Sequence, residues 1–156
     1  MVGEVEKDEM VTTLDIDYNI KRSNDKLLSL QFTGYINSKG APYPMFIAYT
    51  SNINIVSGTE IKLTDYFDIS KDFVEQYRNG KLNAIKSFQN EAFDGLSDEE
   101  MLTMFKSSEL YLTKDSLGLT VFVPHAVGDF AELEIKYQDL EDNTKTENEI
   151  WKNLLH

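Results

Sequence analysis

Apolar residues alternate with polar ones through the first part of the chain. Leu14, Ile16, Tyr18 and Ile20 are separated by Asp15, Asp17 and Asn19. A period of two sends successive side chains to opposite faces of a strand. This stretch therefore predicts a half-buried strand, wet on its acidic face. Lys21 to Lys26 is a polar turn, after which Leu28, Leu30 and Phe32 resume the same period. The two runs predict an antiparallel hairpin. Gly34 is expected to mark a bulge, because Tyr35 breaks the phase. Asn37 to Pro44 reads N-S-K-G-A-P-Y-P, a loop punctuated by Gly40, Pro42 and Pro44. Met45 to Thr50 predicts a third strand that continues into Ile53 and Ile55, with a bend at Ser51 and Asn52.

The pattern changes between Asn52 and Phe67. Ile53 and Ile55 end the alternation, Val56 to Thr59 forms a turn around Gly58, and Ile61 and Leu63 alternate briefly again. Thr64 is expected to cap a helix entered through Asp65, Tyr66 and Phe67. Ser70 predicts the cap of a helix over 71–79, with Phe73, Val74 and Tyr77 on one face and Gly80 at its stop. Leu82, Ile85, Phe88 or Gln89, and Phe93 predict a second helix over 81–93. Ser97 and Glu100 form a capping box for a third over 98–105, buried through Met101, Leu102, Met104 and Phe105.

After Glu109 the period returns to two. Residues 109–113 and 119–123 predict a hairpin about the turn 114–118. Pro124 to Asp129 is a loop. Residues 131–137 predict a strand with Leu133, Ile135 and Tyr137 inward and Glu132, Glu134 and Lys136 outward. Ile150, Trp151, Leu154 and Leu155 share one face of a predicted short C-terminal helix. Strands, then helices, then strands imply an α+β fold. The expectation is a largely antiparallel sheet with two hairpins, and mid-chain helices packed on one face. Residues 11–156 read as one domain. Residues 1–10, mostly charged, read as a frayed end, native or left after removal of a targeting segment.

Composition narrows the chemistry. The chain of 156 residues has no cysteine, which excludes disulfides and thiolate metal sites. Its net charge of −12 argues against nonspecific binding to nucleic acid or to an anionic membrane, and is compatible with a cationic partner. The acid excess lies in 1–20, 65–100 and 129–149, whereas 21–64 is net basic. No apolar run approaches the roughly 18 residues of a membrane span, so no direct insertion is expected.

The candidate catalytic and metal motifs fail on spacing. Asp15-Ile16-Asp17-Tyr18-Asn19 begins like a calcium loop, but Ile20 stands where Gly is needed and Lys26 where the bidentate acid belongs. Asp139, Glu141, Asp142 and Asn143 read as a solvated turn. Two histidines, His125 and terminal His156, are too few for an ordinary zinc site. Gly95-Leu96-Ser97 continues with Asp98, so no G-x-S-x-G elbow exists, and His125 reads as a loop residue with an ordinary hydrogen bond. No catalytic residue, metal ligand or cofactor is assigned. Tyr35, Tyr43, Phe46 and Tyr49 cluster around the Pro-rich loop, where aromatics can make protein or sugar contacts. Tyr35, Tyr43 and Phe46 are the candidate ligand-binding residues. Tyr43, between two prolines, is hard to bury.

Short motifs at intervals carry a resemblance. These are Leu28-Ser29, Gly40-Ala41, the Ser57-Gly58 turn, Leu63-Thr64-Asp65-Tyr66-Phe67, Pro124 with Ala126 and Gly128, and Tyr137 with Leu140. Together they resemble a bacterial domain family of unknown function over roughly residues 11–140. That family forms the extracellular part of lysozyme-responsive anti-sigma factors and is appended to some peptidoglycan deacetylases. The chain departs from it at Pro42, where the family usually has His. The resemblance implies an α+β domain outside the cytoplasm, tethered by a segment absent from this chain, whose work is recognition. A cationic protein such as lysozyme is the implied partner of a binding or sensing domain. An accessory role in binding cell-wall glycan is the alternative. A small carboxylate hydrolase, with or without His125, is a third reading; it requires a concave pocket with convergent polar groups.

Overall fold

The computed structural model describes residues 12–140. Among these residues, eight strands form two antiparallel four-stranded sheets, and both α-helices fall in the middle of the chain. The first sheet has the order β1 (Thr12–Ser23), β2 (Leu27–Ser38), β3 (Met45–Asn54), β4 (Thr59–Glu60). The second contains β5 (Asn83–Ala84), β6 (Glu109–Leu112), β7 (Ser116–Phe122) and β8 (Phe130–Lys136), in the order β5-β8-β7-β6. Two α-helices, α1 (Lys71–Arg78) and α2 (Asp98–Lys106), accompany the second sheet. The α+β class and the antiparallel pairing are those the sequence predicts; the strands divide into two sheets instead of one.

Two of the three predicted helix caps, Ser70 and Ser97, are present. Ser70 Oγ accepts the Asp72 N–H at the start of α1. Ser97 and Glu100 make a reciprocal capping box for α2. These contacts satisfy amide groups that a helix start leaves free. One face of β6, β7 and β8 carries Leu110, Leu112, Leu117, Leu119, Val121, Ala131, Leu133 and Ile135, brought side by side by the register. It packs with Phe73 and Val74 of α1 and Met101 and Phe105 of α2 into the main core. Each fully buried Leu, Val, Ile, Phe or Met among them stabilises the fold by about 1.5–3 kcal/mol. Tyr77, Phe93 and Phe105 close the helical side, with ring centroids 5.2–6.1 Å apart.

Several elements differ from the sequence prediction. Residues 81–93 form β5 and a 3-10 turn over Ser87–Phe93, not a helix. Phe88 and Ile85 are exposed there and Gln89 is buried, so the helical spacing did not correspond to a buried stripe. Thr64 lies within a single 3-10 turn over Leu63–Asp65, whose N-cap position is Lys62, and does not start a helix. β3 runs unbroken through Ser51 and Asn52. Gly118 lies inside β7, and Tyr137 belongs to a 3-10 turn after β8. Gly34 is not a bulge: β2 passes through it in regular register, and the irregularity falls between Ile20 and Arg22. A Cβ at Gly34 would lie 2.0 Å from the Asp15 carbonyl oxygen, so close strand approach explains this glycine. The predicted C-terminal helix lies outside the described residues.

The first sheet is turned the opposite way from the expectation. Leu14, Ile16, Tyr18 and Ile20 are 57%, 47%, 59% and 58% exposed. β1 is therefore open to solvent on both faces, not half-buried. The face turned inward carries Leu27, Ser29, Gln31, Ala48 and Asn52, all buried. Ser29 Oγ donates to Asn52 Oδ1 (2.7 Å) and accepts the Leu112 N–H (2.9 Å). Asn52 Nδ2 and Thr50 Oγ1 both donate to the Leu110 carbonyl, at 2.8 and 2.7 Å. β6 is the edge of the second sheet, and these side chains occupy backbone groups that an edge strand leaves unpaired. Gln31 Nε2 donates to Thr120 Oγ1 (3.0 Å) and Glu132 Oε1 (2.9 Å), while Lys21 pairs with the same Glu132 oxygen at 2.9 Å. Polar residues are tolerated here because their partners are supplied across the interface.

Candidate aromatic recognition site

The end of the first sheet brings the sequence-predicted aromatics together. Tyr35 on β2 stands directly opposite Phe46 on β3, and Asp15 on β1 opposite Tyr35. The three share one face, and the Tyr35 hydroxyl donates to Asp15 Oδ2 at 3.4 Å. Phe46 and Tyr35 are both exposed. Tyr43 rises from the loop before β3 and is 60% exposed. Its prolines restrict the backbone on either side, which presents the ring at small entropic cost.

Sequence reasoning missed the support for Tyr43. Its ring stacks on the His125 imidazole, with centroids 4.3 Å apart and planes inclined by 12°. His125 opens a 3-10 turn over His125–Val127, and its Nδ1 lies 3.0 Å from both carboxylate oxygens of Asp129. An ionised carboxylate only accepts, so Nδ1 carries the hydrogen and donates. Asp129 Oδ2 also accepts the Phe46 N–H at 2.8 Å. One carboxylate thus ties the loop before β8 to the start of β3 and holds the ring beneath Tyr43. Gly128 and Asp129 sit consecutively at φ +107° and +67°. Aspartate is among the few side chains that visit this region readily, and it is the local signal that could have marked the residue in advance. His125 is more than a loop residue with one hydrogen bond: it is the platform of an aromatic stack.

Ionisable groups elsewhere show where burial acts. The Tyr111 phenol is held well above its ordinary range, first by burial, then by Glu132 and Glu134. Burial also raises that of Tyr137, whose hydroxyl donates to the Thr113 carbonyl at 2.7 Å. Glu100 is lowered, by the Ser97 hydroxyl and then the Ser97 amide, as its capping role requires. A separate open cleft of about 210 Å³ between β3, β4 and β6 is lined in part by Thr50, Glu60, Lys62, Ser108 and Glu109. Among the described residues no three metal-ligating side chains cluster. None of the helices there is long and apolar enough to cross a membrane.

No protein-family model matches the chain, and no curated protein matches its sequence. Its structural neighbours include members of the DUF3298 family, a family of unknown function. One is from Bacteroides fragilis NCTC 9343, at 16% identity and a TM-score of 0.58, covering 86% of this chain and 55% of its own. Another is from Pseudomonas aeruginosa PAO1, at 16% identity and a TM-score of 0.56, covering 86% of this chain and 62% of its own. At such identity the likeness shows a shared fold. The chain spans somewhat more than half the length of these neighbours.

Proposed function

We propose that this is a non-enzymatic recognition domain that works outside the cytoplasm at the bacterial cell envelope and binds a cationic protein of the lysozyme type. The observation that carries the reading is the exposed row Asp15–Tyr35–Phe46 with Tyr43 beside it, held by Asp129 and His125. Exposed aromatics on a pre-ordered frame are what protein hot spots are made of. Acidic side chains at their margin, on a chain of net charge −12, speed the approach of a positively charged partner. The envelope setting rests on the family resemblance. The test is calorimetric titration with a cationic lysozyme at low and high salt. Saturable one-to-one binding that weakens with salt, and about tenfold or more with Tyr43→Ala, is expected. No heat at either salt and at two temperatures would remove lysozyme as the partner.

The Tyr43 stack also favours a second reading, an accessory domain for peptidoglycan glycan. His125 covers one face of the ring, and at 60% exposure the rest is available to a sugar. Titration with wall oligosaccharides separates the two: saturable glycan binding lost in Tyr43→Ala, without lysozyme binding, selects this alternative.

A further inference from the structure

The positions of the first sheet that are turned away from the second form four consecutive ranks without a charge. Leu14, Ile36 and Met45 make the first rank, Tyr18, Phe32 and Tyr49 the third, and Ile20, Leu30 and Ser51 the last. Ser29 and Gln31, which alternate with these positions on β2, are buried and bonded to the second sheet, so the ranks face outward. Leu14, Tyr18, Ile20, Met45 and Tyr49 are each more than half exposed. β1 and β2 are each twelve residues long. At about 3.3 Å per residue and 4.8 Å between strands, the outer face of β1 to β3 measures roughly 40 by 15 Å, or about 600 Å². An open apolar surface of that size marks a place where another molecule docks.

We propose that a second copy of this chain docks there, the two outer faces meeting across a two-fold axis. Two copies together bury about 1,200 Å², the lower end of the range for stable, specific interfaces. A two-fold axis requires a self-complementary surface, and an uncharged apolar face meets that condition. Chains of net charge −12 repel each other, so a surface on which they associate has to be one without charge. The acids of β1, Asp15 and Asp17, alternate onto the opposite face. The same net charge disfavours an anionic lipid surface, and a cationic protein finds no counter-charge in the ranks. Twisted sheets pack face to face about 10 Å apart with their strands inclined by about 30°. The pair is thus a sandwich across the interface, with Tyr18, Phe32 and Tyr49 near its middle, where aromatics contribute most. Asp15, Tyr35 and Phe46 lie on the opposite face and stay open, so the dimer carries that row twice. A partner displayed in many copies then gains avidity; this consequence rests on the function proposed above, whereas the dimer does not.

Sedimentation equilibrium of the full 156-residue chain, from about 1 to 200 µM, tests the proposal without any ligand. The mean mass is expected to rise with concentration from 17.9 kDa toward twice that value. The urea midpoint is expected to rise with protein concentration as well, because association stabilises only the folded chain. Added salt is expected to strengthen the association by screening the repulsion between two acidic chains, the opposite of its effect on a charge-driven complex with lysozyme. Tyr18→Glu and Tyr49→Glu each bring a charge into the middle of both faces. Each is expected to weaken association at least about 100-fold while far-UV dichroism is kept. Tyr18→Ser, which adds no charge, is expected to weaken it about tenfold. Asp17→Asn, on the opposite face, is expected to change it by less than about threefold. A mean mass of 17.9 kDa at every concentration overturns the proposal and gives the face to another occupant, within the chain or beyond it. A dimer indifferent to all three tyrosine substitutions also overturns it, since such a dimer meets through a different surface.

Discussion

Gly118→Ala probes the joint between the two sheets. A Cβ at Gly118 would sit 2.0, 2.1 and 2.5 Å from Cζ, Cε2 and Cε1 of the Tyr111 ring. Carbon atoms rest about 3.5–4.0 Å apart, so all three contacts overlap by roughly 1 Å or more. The ring has nowhere to go. It is fully buried, Lys21 Nζ lies 4.5 Å from its centroid, and its hydroxyl donates to Glu134 Oε1 at 3.3 Å. Overpacking of a closed site costs about 1–3 kcal/mol, and the depth of overlap puts this case at or above about 3 kcal/mol. With a urea slope of about 1–3 kcal/mol per molar, the unfolding midpoint should fall by about 1 M or more. Tyr111→Ala alone should cost about 3–5 kcal/mol, as large aromatic truncations do. In that background the added methyl meets empty space, and Gly118→Ala should be near neutral. The double-mutant cycle should therefore return a coupling of at least about 2 kcal/mol. Equal losses from Gly118→Ala in both backgrounds would refute the steric argument and place the role of the glycine in the backbone.

Ser29→Ala should destabilise by about 1–3 kcal/mol in urea, because it leaves the buried Leu112 amide without its acceptor; a neutral outcome would mean the β6 edge finds another partner. Ser97→Ala should lower stability by about 1 kcal/mol through loss of the α2 cap, and hydrogen exchange at the first turn of that helix should rise. Tyr111 and Tyr137 hold folded-state pKa values above the unfolded value of about 10. Their contribution is thus fully present below about pH 10 and declines above it, as the unfolded chain sheds protons that the folded chain keeps. In an alkaline titration, the last increment of tyrosinate absorbance should appear only together with loss of near-UV dichroism. Asp129→Ala should free the His125 ring and the Phe46 amide; resonances of Tyr43 and His125 should broaden or shift while the main core is unchanged.

The legible parts of the fold were those whose signal is local. The Ser70 and Ser97 caps, α1, α2 and the apolar row of β8 all follow from residues within a few positions of one another. The failures share one cause. Leu82, Ile85, Phe88 and Phe93 carry helical spacing, yet only Leu82 and Phe93 are buried while Ile85 and Phe88 are exposed, so the period does not mark one buried stripe. Gly34 and Gly118 were read as turn or bulge residues, but both answer to a neighbour brought close by strand pairing. For the site, Tyr35, Tyr43 and Phe46 were visible as aromatics near a rigid loop. The role of His125 and Asp129 was not, because they lie some eighty positions from the residues they steady.

The sequence by itself determined that three strands within residues 12–54 would each have two chemically distinct faces. Side-chain alternation requires that much, whatever the strands pack against. Which face turns inward was decided only in three dimensions. Ser29, Gln31 and Asn52 are buried because Leu110, Leu112, Thr120 and Glu132, 58 to 101 positions further along the chain, complete their hydrogen bonds. A polar face is excluded from an interior only when its partners are missing. Here the second sheet provides them, and the apolar face is left outward.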